Sequence, residues 1–310
     1  MPNGKRFLLT KANLLCRHNH SQIDSVFHLS HANSMSIVSE TITVLKSQQH
    51  NINIKRFRLE NGKLKSLPVK LPLLFDVEKH AVSSLSDLSS LLTALEHDPS
   101  RFIIRGELIE GRQKENIRRT GKSHLFDDPN SNFNPAPRQW CMIDIDDLEL
   151  PAEYADIDAS KPDILAYTTA KLPEAFRGVD CHYQFSASMG VKTDKVRVHL
   201  WYWLNRSVSD AEMKAWMGQS DVPVDMSLFR PVQPHFTANP IFENGAINPL
   251  PNRSGVYDAH GGQDTVTVPE NLDEIVTVQT RSQKPRYTRS DGYLEAQEII
   301  RDQATGLAID

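Results

Sequence analysis

Three of the four residues from Asp144 to Asp147 are acidic, and they close an apolar run that reads Cys-Met-Ile-Asp-Ile-Asp-Asp from Cys141. A strand buried on both faces excludes Asp, and a solvated loop does not open with Met-Ile. A strand that packs with one face and carries carboxylates on the other has this composition, because successive side chains alternate. Clustered carboxylates repel one another and are costly without a cation. Oxygen-only donors select Mg²⁺ or Mn²⁺ rather than zinc. Asp225, in Val-Pro-Val-Asp-Met-Ser-Leu-Phe, is a third candidate ligand beside Asp144 and Asp146.

Two further runs offer complementary groups. From Lys195 to Leu204, alternation puts Lys195, Arg197, His199, Trp201 and Trp203 on one face and Val196, Val198, Leu200, Tyr202 and Leu204 on the other. From Cys181 to Ser188, His182, Gln184, Ser186 and Ser188 share a face. A divalent cation held by carboxylates beside cationic and hydroxyl groups suits a nucleoside triphosphate. The metal would polarise the α-phosphate and the attacking hydroxyl, while Arg197, Lys195 and Arg230 neutralise the outer phosphates.

The elements that must position these groups follow from pattern and caps. Asn51 to Val69 alternates on both sides of Asn61-Gly62, a type I′ hairpin signal. Leu85, Leu88, Leu91, Leu92 and Leu95 recur with helical period after Ser84, with Asp87 at capping-box spacing. Arg101 to Leu108 reads as the next strand. From Cys141 the order is strand, helix (Lys161 onward, broken near Pro173), strand, strand, helix (capped by Ser209 with Glu212), and a fourth strand from Val222 to Phe229. That β-α-β-β-α-β order, preceded by an N-terminal α/β module, predicts an α+β fold with an RRM-like (ferredoxin-like) core. Its first and third strands would be central. The fourth would border the first and bring Asp225 to Asp144 and Asp146. Residues 1–74 form an N-terminal region of uncertain fold with the hairpin. Residues 75–260 form the catalytic core, split into 75–140 and the RRM-like 141–245. Residues 261–310 form a linker and the start of a helix.

The chain has 310 residues and a formal charge of −4, so no global positive field recruits a polyanion. Nucleic-acid contact must come from local basic clusters. The densest lies in the loop before the acidic strand, at Arg112, Lys114, Arg118, Arg119 and Lys122. Asn116 to Ser123 nearly matches a phosphate-binding P-loop, but it lacks the first glycine and the feeding strand. Cys16, Cys141 and Cys181 are too widely spaced for a disulfide framework or a structural zinc site, which suits a reducing cytoplasm. No apolar run is long enough to span a membrane.

The motifs Met-Ile-Asp-Ile-Asp, Lys-Val-Arg-Val-His-Leu-Trp-Tyr and Val-Asp-Met-Ser together resemble the archaeo-eukaryotic primase superfamily, including the primase-polymerases of phages and plasmids. The resemblance covers roughly residues 75 to 245. It implies that Asp144, Asp146 and Asp225 are the metal ligands and that His199 contacts the phosphates of the incoming nucleotide. The residue two before His199 is Arg197, not the family's common serine, and Ser186 or Ser188 is the substitute on the neighbouring strand. The implied activity is DNA-dependent primer synthesis on single-stranded DNA from NTPs or dNTPs with Mg²⁺ or Mn²⁺, in replication of a mobile element. A helicase, fused or separate, is the implied partner. A two-metal nuclease and a non-catalytic replication-initiator module are the alternatives. The nuclease leaves the cationic third strand unexplained, and a binding-only face has no reason to keep acids that repel phosphate.

Overall fold

The computed structural model describes residues 39–48, 54–69, 72–119, 131–192, 194–272, 274 and 276. Lys122, Cys16 and the apolar C-terminal positions Leu294, Ile299 and Ile300 lie outside these residues. Strand β1 (Glu40–Ser47) is followed by the hairpin β2 (Arg56–Glu60) and β3 (Lys63–Leu67). Its turn residues Asn61 and Gly62 have φ of 51° and 73°, the double positive φ of a type I′ turn. Strand β4 (Leu74–Val82) returns antiparallel to β1 along its whole length. Helix α1 (Leu85–Leu95) then leads to β5 (Arg101–Ile104), which pairs with the other side of β1. This sheet therefore draws one of its two inner strands, β1, from before residue 75.

Helix α1 buries Leu85, Leu88, Leu92 and Leu95, the apolar stripe of its 3.6-residue period. Ser84 Oγ accepts from Asp87 N at 3.1 Å, but the Asp87 carboxylate accepts from Ser83 N and Ser83 Oγ, one residue short of a full capping box. The segment Arg101–Leu108 is not one strand. It breaks at Gly106, whose N–H donates to the Pro231 carbonyl at 2.7 Å. An added Cβ there would lie 2.6 Å from that oxygen, so the two backbones cross too closely for a side chain. Beyond the break come β6 (Glu107–Leu108), β7 (Ile117–Arg118) and β8 (Phe133–Asn134); β6 pairs with β8, and β7 adds to β4.

The second sheet begins with β9 (Arg138–Glu149). Helix α2 (Lys161–Thr169), β10 (Cys181–Phe185), β11 (Lys195–Val208) and helix α3 (Asp210–Met217) follow. Strand β11 lies between β9 and β10, antiparallel to both. Three short strands complete the sheets. β12 (Ile241–Glu243) runs parallel to β2, β13 (Ser254–Tyr257) is antiparallel to β10, and β14 (Thr265–Val266) is parallel to β11. Ser209 and Glu212 form the full capping box of α3, with Ser209 N to Glu212 Oε2 at 2.8 Å and Glu212 N to Ser209 Oγ at 3.2 Å.

The expected fourth strand is absent. Val222 to Phe229 contains only a 3₁₀ turn at Met226–Leu228, with Asp225 as its N-cap. Pro223 cannot donate to a ladder. The Asp225 carboxylate accepts from Ser227 N at 2.8 Å and Ser227 Oγ at 2.9 Å, closing a local turn that competes with strand pairing. One backbone bond to the sheet survives, Asp225 N to Asp144 O at 3.2 Å.

Both faces of the second sheet are covered. Ile143, Ile145, Val196, Val198 and Leu200 pack against Ile164, Leu165, Met213 and Trp216 of α2 and α3. On the opposite face Trp140, Met142, Trp201 and Trp203 pack against Ile42, Val44, Leu88, Leu92 and Ile103 of the N-terminal layer. Each tryptophan removes about 150–250 Å² from water, worth ~4–6 kcal/mol of transfer free energy at ~25 cal/mol/Å². Buried charge ties the layers together. Arg105 Nε donates to Asp210 Oδ1 at 2.7 Å, and Arg138 Nη1 pairs with Glu40 Oε1 at 3.0 Å. The face expected to be open is therefore open only at the end that carries Asp144 and His199.

Candidate functional site

Strand register builds the site. His199 on β11 stands opposite Asp144 on β9 and opposite Gln184 on β10, and Gln184 stands opposite Ser254 on β13. Directly opposed residues project from the same face, so a polar row crosses the sheet. His199 Nε2 lies 3.6 Å from Asp144 Oδ1. A bulge in β9 then re-aims the next acids. Val198 opposes Ile145 and Val196 opposes Leu148, so Asp146 and Asp147 together face the single residue Arg197. Ile145 and Leu148 stay buried while both carboxylates emerge.

Asp144, Asp146, Gln184, Ser186 and His199 line a cavity of about 410 Å³ together with Lys55, Arg253, Ile54, Val69, Phe185, Ala187, Phe236, Ala238 and Pro240. That volume lies within the range of small-molecule sites. Burial first, then the charges of Asp146 and Asp225, hold the Asp144 carboxyl well above its ordinary pKa; Lys55 opposes them. Asp144 Oδ1 is buried without a hydrogen-bond partner. Burial pushes His199 down to about 4, against the pull of Asp146 and with the push of Lys55. His199 is thus a neutral imidazole at pH 7, and its contact with Asp144 is polar rather than ionic. Two carboxylates, a lysine, an arginine and a neutral histidine around one cavity can hold a cation and a polyanion at once.

The other expected site residues are placed differently. Asp225 is exposed and occupied with its own turn, yet close enough to act electrically on Asp144. Among the described residues no three His, Cys, Asp or Glu side chains converge into a ready-made metal cage. Arg197 does not reach the cavity. Its guanidinium donates to the Lys195 carbonyl at 3.0 Å and to Asp194 Oδ1 at 3.2 Å, folding back onto the loop before β11. Lys195 pairs with Glu149 at the sheet edge. Ser188 is buried 3.2 Å from Ser186 Oγ, and Arg230 is half-buried; neither lines the cavity.

In the basic loop, Arg112, Lys114 and Arg118 are exposed, but Arg119 turns inward and donates to the Val232 carbonyl, and burial brings it down to about 10. Through β7 this loop sits at the edge of the first sheet, not beside the cavity lining. Sequence reasoning missed Lys55, Arg253 and Phe236. Lys55 adjoins the recognised hairpin. Arg253 follows a proline-rich loop that carries no motif.

No family model matches the chain, and no solved structure matches it with significance. The chain is similar to a protein of Escherichia phage T5 described as a "Putative replication origin binding protein". The two are 24% identical over 263 residues, which is 80% of this chain and 27% of the T5 protein. The chain therefore spans about a quarter of that protein's length.

Proposed function

We propose that the chain is the priming unit of a phage-type DNA replication protein, a nucleotidyltransferase that joins nucleotides on a single-stranded DNA template. The RRM-like core and the primase resemblance belong to the same reading. The observation that carries it is the polar row Gln184–His199–Asp144, with Asp146 and Lys55, around one cavity.

A divalent cation, Mg²⁺ or Mn²⁺, fits the donor set. Asp144 Oδ1 is buried and unpartnered, and burial with the charges of Asp146 and Asp225 disfavours its ionised form in the absence of a cation. Asp144 and Asp146 would hold the ion, with Asp225 as a third carboxylate that must leave Ser227 to join. Mg²⁺ is commonly held by one or two carboxylates with phosphate and water oxygens completing the shell. When bound, the ion supplies Lewis acidity at the α-phosphate and the attacking hydroxyl. The chain's own groups do the rest. Neutral His199 offers one N–H to a phosphate oxygen, Ser186 offers a hydroxyl, and Lys55 offsets the triphosphate charge. The covering N-terminal layer excludes water from the tryptophan end of the face.

The test is primer synthesis on circular single-stranded DNA with labelled NTPs or dNTPs in Mg²⁺ or Mn²⁺. Labelled product that disappears in Asp144→Ala supports the reading, and no incorporation with any nucleotide overturns it. The description of the T5 relative favours a second reading, a non-catalytic origin-binding module. Specific binding to origin DNA without incorporation would establish it, and metal-dependent cleavage of the template would point instead to a nuclease.

A further inference from the structure

Two chemically different kinds of group line the cavity. One is Arg253, only 2% exposed. Its Nη1 donates to the Ser186 carbonyl at 2.8 Å and its Nη2 to Asn248 Oδ1 at 3.0 Å, while Nε is buried without a partner. Among the described residues no carboxylate pairs with it. Two arginines with almost no exposure are treated differently, Arg105 having the carboxylate of Asp210 and Arg138 that of Glu40. A buried charge without a counter-charge is strongly unfavourable, so an arginine kept this way beside a cavity is suited to an anion that arrives from outside. Lys55 lines the same cavity and adds a second positive charge.

The other is apolar, Phe236 with Ile54, Val69, Ala238 and Pro240. Among the described residues Phe236 is the one phenylalanine left exposed, at 37%. Its ring is held at 5.7 Å from Phe102, so it stands fixed rather than collapsed into the core. A braced, accessible ring at the rim of a charged cavity is a platform for a flat, weakly polar group. Aromatic side chains stack on any nucleobase, since every base has a π-face.

We propose that Arg253 anchors the phosphates and Phe236 stacks the base of a nucleoside triphosphate in this cavity, taking over the phosphate role that sequence alone gave to Arg197, Lys195 and Arg230. This rests on the nucleotide reading of the cavity but not on priming. The base is held by its face, so the subsite accepts different bases.

The test measures binding to the full chain without DNA, in Mg²⁺, using ATP, inorganic tripolyphosphate and adenosine, by titration calorimetry and by the shift of the thermal midpoint. Wild type binds ATP and tripolyphosphate, each raising the midpoint. Phe236→Ala weakens ATP about tenfold and leaves tripolyphosphate unchanged, and Phe236→Trp restores ATP. Arg253→Gln weakens both by about tenfold or more, and Arg253→Lys recovers part of the loss. Arg253 also holds Ser186 and Asn248; if Arg253→Gln does not fold, the wild type and the Phe236 variants decide. Wild type whose midpoint tripolyphosphate leaves unmoved overturns the anchor. Equal loss of ATP and tripolyphosphate in Phe236→Ala, or loss of neither, overturns the platform. ATP bound in this pattern with no primer made would overturn priming alone. Primer made with unchanged nucleotide KM in Phe236→Ala and Arg253→Lys would overturn this subsite alone.

Discussion

At the scale of single residues, the site separates groups that face the cavity from groups that only share its strands. Asp144 and Asp146 face it, and in the proposed site each substitution to Ala would remove a cation ligand worth several kcal/mol of barrier. Incorporation should fall at least about a hundredfold in either variant, with the circular dichroism spectrum unchanged. Near-normal incorporation by Asp144→Ala would remove the assignment. Arg197 shares a strand with His199 but is spent on Lys195 and Asp194. Arg197→Ala should therefore leave nucleotide KM unchanged and lower the thermal midpoint. A large rise in KM with an unmoved midpoint would return Arg197 to the substrate. His235 is a third kind of residue. It is fully buried between Trp140 and Trp201, each ring centroid 5.8 Å away, and neither ring nitrogen has a well-formed hydrogen bond. Burial first, then the charges of Arg105 and His199, bring it down to about 3. The unfolded chain protonates this imidazole near pH 6.5 while the folded chain does not. The stability it supports is thus complete above 6.5 and is lost as pH falls toward about 3. His235→Phe should flatten the fall of stability with pH in that window by up to about 1.4 kcal/mol per pH unit, measured by urea unfolding. An identical slope in both proteins would clear His235 of the effect.

At the scale of elements, what positions the site is register and capping rather than strand content alone. The β9 bulge turns two adjacent acids outward while Ile145 and Leu148 stay buried. A regular strand would send Asp147 into the core, where an unpaired carboxylate is prohibitively costly. Helix α3 starts directly after β11 and covers its apolar face, so its N-terminus fixes where β11 ends. Ser209→Ala removes a capping-box acceptor and should cost about 1 kcal/mol of global stability. Because Ser209 lies ten residues from His199 along the chain, nucleotide affinity should be unchanged. Loss of affinity without loss of stability would mean that the helix acts on the site directly.

At the scale of the whole molecule, charge and cover matter most. The chain carries a formal −4, so attraction to DNA must be local, and the described part of the basic loop offers three exposed cations, Arg112, Lys114 and Arg118. Replacing all three with Ala should lower the salt-dependence slope of single-stranded DNA binding by about two units if each meets a phosphate. The parent's slope in the triple variant would leave the loop as a solvated edge of the first sheet. Arg119 belongs outside this set, because its buried bond to the Val232 carbonyl makes Arg119→Ala a stability variant. The layer of Ile42, Val44, α1 and Ile103 against the tryptophans leaves the end of the second sheet that carries Asp144 and His199 to line the cavity.

What the sequence determined by itself was whatever depends on near neighbours along the chain. Alternation marked Ile143 and Ile145 as buried and Asp144 as facing the other way, because a strand has a period of two. Asn61-Gly62 fixed a hairpin turn through its positive φ, and Ser209 with Glu212 fixed a helix start through two hydrogen bonds. The same local logic gave Asp144, Asp146, Ser186 and His199, four of the residues that line the cavity. It failed where a side chain has a choice of partner. Alternation placed Arg197 on the correct face but could not show that nearby carbonyls and Asp194 capture its guanidinium. It placed Asp225 on a strand, although Pro223 and Ser227 carried the signal for a turn. Lys55, Arg253 and Phe236 were decided only by the tertiary structure. They reach the cavity from segments nearly two hundred residues apart, through the pairing of β2 with β12 and of β13 with β10. A long-range contact of that kind leaves no periodic trace in any one segment, because its partner residues are neighbours only after the chain has folded.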